Sequence, residues 1–135
     1  MTRTHLLTCL LAGLAVLLLA ACSSNGAAEG ADPAAQAVEG YLTALVDENA
    51  DQLATASCAA WEEQATLELD SFMGVEASLQ DLACQTTGDA DDSSLVQCTG
   101  KIVATYNNEQ QELDLAGRTY QVSQEEGEWR VCGYH

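Results

Sequence analysis

Basic residues are nearly absent. The sequence has four lysines and arginines against 21 aspartates and glutamates, and every acidic residue lies after Cys22. The basic residues beyond that point are Lys101, Arg118 and Arg130. So anionic a field repels DNA, RNA and acidic lipid headgroups, which excludes a nucleic-acid role and holds the domain away from a bilayer surface. Histidine is almost as scarce, with His5 near the start and His135 at the end. Ordinary general-base chemistry near neutral pH and histidine-based zinc sites therefore lack their main residue. There is no G-x-S-x-G, no H-E-x-x-H and no glycine-rich phosphate loop, so nucleophilic, zinc-hydrolytic and nucleotide chemistry have no motif. No C-x-x-C pair is present, and Pro33 is the only proline.

Long apolar runs are limited to one. After "MTRTH", whose Arg3 and amino terminus are cationic, "LLTCLLAGLAVLLLA" gives 15 mainly apolar residues. A stable transmembrane helix needs about 20. The run closes on the small residues Ala20 and Ala21, reaches Cys22 and turns polar at "SSNG", the profile of a cleaved export signal. Leu19-Ala20-Ala21-Cys22 resembles the lipobox of bacterial lipoproteins. That resemblance implies a signal peptide over 1–21, removal just before Cys22, and acylation of the Cys22 thiol. Two or more buried acyl chains, at about 0.8 kcal/mol per CH₂, suffice for stable anchoring. The implied location is the cell membrane, facing outward, with the protein held by lipid.

Cys58, Cys84, Cys98 and Cys132 are left as an even set of four, for which three pairings exist. Structural disulfides suit a compartment outside the cytoplasm. Residues 22–31, "CSSNGAAEGA", are small, polar and glycine-bearing and read as a lipidated flexible tether with a reach of about 17 Å. Residues 32–135 then make one domain.

Asp32-Pro33 is a helix start, because Asp accepts free first-turn amides and Pro loses nothing at N1. Val38, Tyr41, Leu42 and Leu45 follow at i, i+3, i+4 and i+7 as one apolar stripe. A second helical stretch runs from Asp51 to Phe72, with an optional kink. Its expected inner face is Leu53, Ala56, Ala60, Trp61 and Leu67, and Gly74 ends it. Beyond Val75 the period approaches two, and turn signals at "GDADDSS", "NNEQ" and "EEGE" separate strands over 76–86, 95–106, 112–123 and 128–134. Short loops make this an antiparallel meander. Leu82, Cys84, Cys98, Ile102, Ala104, Leu113 and Leu115 are expected to face the helices, and Gly117 to mark a bulge that turns Tyr120 and Val122 inward. In such a meander Cys98 and Cys132 lie about 10 Å apart on alternate strands. A disulfide needs Cα atoms within about 7 Å. Cys84–Cys98 across one hairpin and Cys58–Cys132 from helix to last strand are therefore expected.

The fold class is α+β, with N-terminal helices on a curved four-stranded antiparallel meander sheet. Together with the closing "GRTYQVSQEEGEWRVCGY", this order resembles the cone-shaped nuclear transport factor 2-like superfamily and its small bacterial lipoproteins. A cystatin-like helix-on-sheet domain fits the same order. The resemblance implies a cone that is an empty scaffold, a ligand pocket or an active site. Asp81, Asp114, Tyr106 and Tyr120 are the strand-borne groups an enzyme would use, and the two aspartates alternate away from the core. Tyr41, Trp61 and Tyr120 are the candidate ligand residues, against the alternative of core packing with a satisfied polar tip. Asp89, Asp91 and Asp92 do not form a calcium loop, since Ser94 and Gly100 stand where an EF-hand needs Gly and Glu. No catalytic residue, metal or cofactor is expected. The expected function is non-catalytic binding of a small ligand or an envelope protein partner; a structural domain without ligand is the alternative, and a cone-fold enzyme is the least favoured.

Overall fold

In the computed structural model, which describes residues 30–135, Asp32 and Pro33 start the first helix as their chemistry dictates. The expected signal peptide, the expected lipidation site Cys22 and the expected tether up to residue 29 lie outside the described residues. Helix α1 spans Pro33–Val46 with Pro33 in its first turn, and the Ala35 amide donates to Asp32 Oδ1 at 3.0 Å. The expected stripe of Val38, Tyr41, Leu42 and Leu45 is buried. It packs on the sheet with Val96, Ile102, Tyr120, Val122 and Val131.

The second helical stretch is two helices, α2 over Ala50–Ala56 and α3 over Glu62–Phe72. The break has a clear cause. Ser57 takes an extended conformation and forms a parallel bridge with Val131, and the Cys58 amide donates to the Val131 carbonyl at 2.8 Å. A residue inside a continuous helix could not pair with the sheet in this way. The break also resets the helical phase. Leu53 is buried as expected, but Ala60 is exposed and Leu67 is 57% exposed; Ala65 and Leu69 hold the inner positions of α3.

Five strands follow: β1 (Glu76–Ala90), β2 (Ser93–Tyr106), β3 (Glu109–Asp114), β4 (Thr119–Glu125) and β5 (Glu128–Tyr134). The expected third strand is thus two strands, so the sheet has five members and not four. Both pair with β2, β3 along Lys101–Tyr106 and β4 along Ser94–Gln97, and the sheet order is β1-β2-β4-β5. The split lies at residues 115–118. There the Leu115 amide turns in to the Gly100 carbonyl at 3.0 Å and the Arg118 amide closes a turn onto the Leu115 carbonyl at 3.1 Å. Burying Leu115 is what interrupts the strand. Gly117 sits in this turn rather than in a bulge, and Tyr120 and Val122 beyond it are buried. Register shifts between Gln80 and Ala83, between Thr86 and Gly88, and between Gln121 and Val122 bend the sheet around the helices.

Cys84 stands opposite Cys98 in the β1–β2 register and the two are disulfide-bonded, with Cα atoms 4.0 Å apart. The second disulfide joins Cys58 to Cys132, Cα atoms 4.9 Å apart. Both expected pairings are present, and disulfides of this kind fit an oxidising compartment outside the cytoplasm. Among the described residues no helix is long and apolar enough to cross a membrane.

Strand β1 is an edge, and α1 covers it with acid. Asp32 Oδ2 accepts the Thr86 amide at 2.7 Å, Asp32 Oδ1 accepts the Thr86 hydroxyl at 2.8 Å, and Glu39 Oε1 accepts the Cys84 amide at 3.1 Å. Desolvation raises the Asp32 pKa, but the hydrogen bonds from Ala35 and Thr86 outweigh it and hold the carboxyl below its ordinary 3.8. A depressed folded-state pKa adds stability that is present above 3.8 and is lost as pH falls through the lower folded value. Asp32→Ala is expected to cost about 1–2 kcal/mol at neutral pH. Urea titrations should show that cost shrinking in acid; a pH-independent difference would refute the clamp.

Candidate functional site

Helix α3 and strands β2 and β3 place side chains on a common wall by their own periodicities. Glu68, Ser71 and Phe72 fall at i, i+3 and i+4 on one helix face. Ile102, Ala104 and Tyr106 alternate on one face of β2, and Gln111 and Leu113 alternate on β3. The register sets Ile102 beside Leu113 and Ala104 beside Gln111. Between these faces lies a cavity of about 430 Å³, closed further by Leu45, Val75, Arg118 and Tyr134. The volume is that of a site for a small organic ligand.

The apolar lining comes from Leu45, Phe72, Val75, Ile102, Ala104 and Leu113. Two charged side chains share it. Glu68 is fixed from behind, where Trp61 Nε1 donates to the Tyr41 hydroxyl at 3.1 Å and that hydroxyl donates to Glu68 Oε2 at 2.8 Å. The other oxygen, Glu68 Oε1, is buried with no hydrogen-bond partner. The Arg118 guanidinium lies over the Tyr134 ring, 4.7 Å from its centroid, a cation–π contact. Burial pushes the Tyr134 hydroxyl up to about 12; the Glu68 carboxylate adds to the rise and Arg118 opposes it. Burial likewise raises Tyr120, against the pull of Arg118, and raises Tyr41, against the Trp61 hydrogen bond. All three phenols therefore remain neutral hydrogen-bonding groups at physiological pH.

The three ligand residues expected from sequence are not in the lining. Tyr41 is fully buried and orients Glu68. Trp61 packs edge-on to Tyr134 with centroids 5.8 Å apart, and Tyr120 packs against the same ring at 5.4 Å. They form the layer behind the wall, and the Tyr120 hydroxyl is itself buried without a partner. Tyr106 is 62% exposed at the cavity mouth, and Leu113, expected in the core, is 44% exposed there. Glu68, Arg118 and Tyr134, which no sequence motif marks, line the cavity instead. The i, i+3, i+4 relation of Glu68 to Ser71 and Phe72 is present in the sequence, but it does not set Glu68 apart among 21 acidic residues.

Asp81, Asp114, Tyr106 and Tyr120 do not converge. Asp81 is exposed at the β1 bulge with positive φ, and Asp114 Oδ1 accepts the Ala116 amide at 2.8 Å in the turn after β3. In the acidic hairpin Asp89 Oδ1 accepts the Ser94 hydroxyl at 2.9 Å, and Asp91 takes the left-handed turn conformation. Among the described residues no three His, Cys, Asp or Glu side chains are grouped to hold a metal ion.

No family model and no curated protein sequence matches the chain. Solved structures are similar in shape. A SEC-C motif containing protein from Rhodopseudomonas palustris is 9% identical, with a TM-score of 0.51 over 80% of this chain and 83% of that one. An uncharacterized protein with a cystatin-like fold from Caulobacter vibrioides is 17% identical, with a TM-score of 0.48 over 79% and 87%. A chain named Rd1NTF2_05, in a form with five substitutions, is 11% identical, with a TM-score of 0.45 over 74% and 94%. At such identities a likeness concerns the fold alone.

Proposed function

We propose that this is a lipid-anchored extracytoplasmic protein whose domain binds a small amphipathic ligand without converting it. The carrying observation is the cavity of about 430 Å³, apolar along most of its wall, with the charged side chains of Glu68 and Arg118 among its lining. A mostly apolar wall with a few fixed polar groups is the usual form of a small-ligand site. Catalysis has less support. The strand-borne carboxylates lie apart on exposed surface, and the cavity brings no histidine beside Glu68.

The test is a melting-temperature screen with small amphipathic molecules, followed by assay of each hit for conversion. At a hundredfold above its dissociation constant a ligand should stabilise the protein by about 2.7 kcal/mol. Ala104→Trp, which fills the cavity from β2, should abolish the shift. A hit that persists in Ala104→Trp, or one that is turned over, contradicts the proposal.

Anchoring rests on Leu19-Ala20-Ala21-Cys22. Cys22→Ser is expected to abolish labelling by a palmitate analogue and to leave unprocessed precursor or released protein. A Cys22→Ser protein still labelled and membrane-bound would show that the lipid is elsewhere.

A further inference from the structure

The sheet has three edges, and two of them are held along their middle by the rest of the molecule. On β1 the Cys84 and Thr86 amides donate to Glu39 and Asp32 of the α1 segment. On β5 the Val131 carbonyl accepts the Cys58 amide, and Ser57 bridges to Val131. Strand β3 differs. It pairs on one side only, with β2, and all six of its residues are exposed. Among the described residues nothing else bonds its main-chain groups. The register shows which of those groups are free. One step beyond the Lys101–Asp114 pair, the Leu115 amide donates to the Gly100 carbonyl, and bonded and non-bonded pairs alternate along an antiparallel ladder. Gln110 and Glu112, opposite Thr105 and Val103, therefore turn their N–H and C=O groups to the open edge.

We infer that β3 accepts an added strand from a protein partner, a segment in which Lys or Arg alternates with apolar residues. The two faces of β3 set that pattern. Gln111 and Leu113 face the cavity, whose mouth carries the exposed side chains of Tyr106 and Leu113, so the added residues on this face are apolar. Glu112 and Asp114 alternate to the other face. Glu112 holds Lys101 at 2.8 Å, the one ion pair among the described residues, which leaves Glu109 and Asp114 without a basic partner. The whole chain has four lysines and arginines against 21 acidic residues, so a basic segment is also drawn in from a distance. A second copy of this chain does not fit. Pairing β3 with itself over its full length in antiparallel sense sets Glu109 opposite Asp114 at both ends, and like charges directly opposite are destabilising. Acid on an open edge keeps like strands away and admits a basic one.

The test is calorimetric titration of the chain as the cell processes it, held in phosphatidylcholine nanodiscs, with empty discs as reference. The probe is the acetylated and amidated peptide Lys-Val-Lys-Val-Thr-Lys. Its controls are Lys-Lys-Lys-Val-Val-Thr, of equal charge without alternation, and Glu-Val-Glu-Val-Thr-Glu, of opposite charge. The alternating basic peptide should bind about tenfold or more tightly than either control and should slow hydrogen exchange at the Gln110 and Glu112 amides. Gln110→Pro removes one outward N–H, leaves every charge in place and spares the bonds to β2, so it is tolerated on this edge. It should weaken the alternating peptide about tenfold, through the lost hydrogen bond and the obstructing ring. Either control binding as well as the probe overturns the inference, as does a Gln110→Pro protein that remains folded and binds as the parent does. Absence of binding overturns it too, and so does self-association of the parent that Gln110→Pro abolishes, which would make a second copy the occupant. None of these failures touches ligand binding inside the cavity, which Ala104→Trp tests separately.

Discussion

Replacing Cys58 and Cys132 by serine is expected to lower stability by about 4 kcal/mol, against about 3 kcal/mol for the Cys84, Cys98 double replacement. The difference follows from the sequence separations, 74 residues for the first pair and 14 for the second, because the longer cross-link removes more freedom from the unfolded chain. Against a total of about 5–15 kcal/mol for a domain, either loss is large. The Cys58–Cys132 bond has a second consequence. It fastens the segment between α2 and α3 to β5, three residues before Trp61 packs on Tyr134. Its loss should therefore also diminish any ligand-induced melting shift, whereas loss of Cys84–Cys98 should leave that shift in place at temperatures where the variant is folded. Urea denaturation gives the stabilities; the reverse ranking would contradict the role assigned to the long cross-link.

Gly100→Ala is expected to be nearly as damaging, at about 3 kcal/mol or more. Gly100 has φ +95°, a conformation in which L side chains are strained, and a Cβ there would lie 2.5 Å from the Gln80 carbonyl oxygen and 2.6 Å from that of Asp81. Those atoms are backbone and belong to the bulge of β1, so no rotamer change relieves the clash. Gly100 also accepts the Leu115 amide that splits the third strand. The substitution should disturb both the bulge and the turn that leads to Arg118. Gly74→Ala, also at positive φ but with open space around the added methyl, isolates the conformational part of the cost. Equal losses at the two positions would show that the close approach of β1 and β2 contributes nothing.

The elements most legible in the sequence are those fixed by short-range chemistry. Asp32 and Pro33 announce a helix start wherever they meet an apolar 3.6-residue stripe, and Cys84 and Cys98 flank a turn from equal distances, so hairpin register alone brings them together. Cys132 then follows by distance from the only other strand neighbours. What escaped reading depends on contacts between distant segments. The helix ends at Ala56 because Ser57 pairs with Val131, and the third strand breaks because Leu115 folds in beneath Gly100. Neither partner is visible from the residues around the break. The same holds for the cavity. Tyr41, Trp61 and Tyr120 are large polar-tipped aromatics, and their contacts place them behind the cavity lining, Tyr41 and Tyr120 fully buried and Trp61 half-buried against Tyr134. Glu68 looks in the sequence like any other carboxylate, and it becomes distinct only where Tyr41 occupies one oxygen and burial isolates the other.

A nuclear magnetic resonance titration of the isotopically labelled protein with the strongest thermal-shift ligand tests the binding role most directly. A ligand in the cavity should shift the resonances of Leu45, Phe72, Ile102, Leu113 and Tyr134, and should leave the acidic hairpin around Asp91 unmoved. Saturable shifts confined to α2 or to the outer edge of β1, with the cavity residues unchanged, would contradict it.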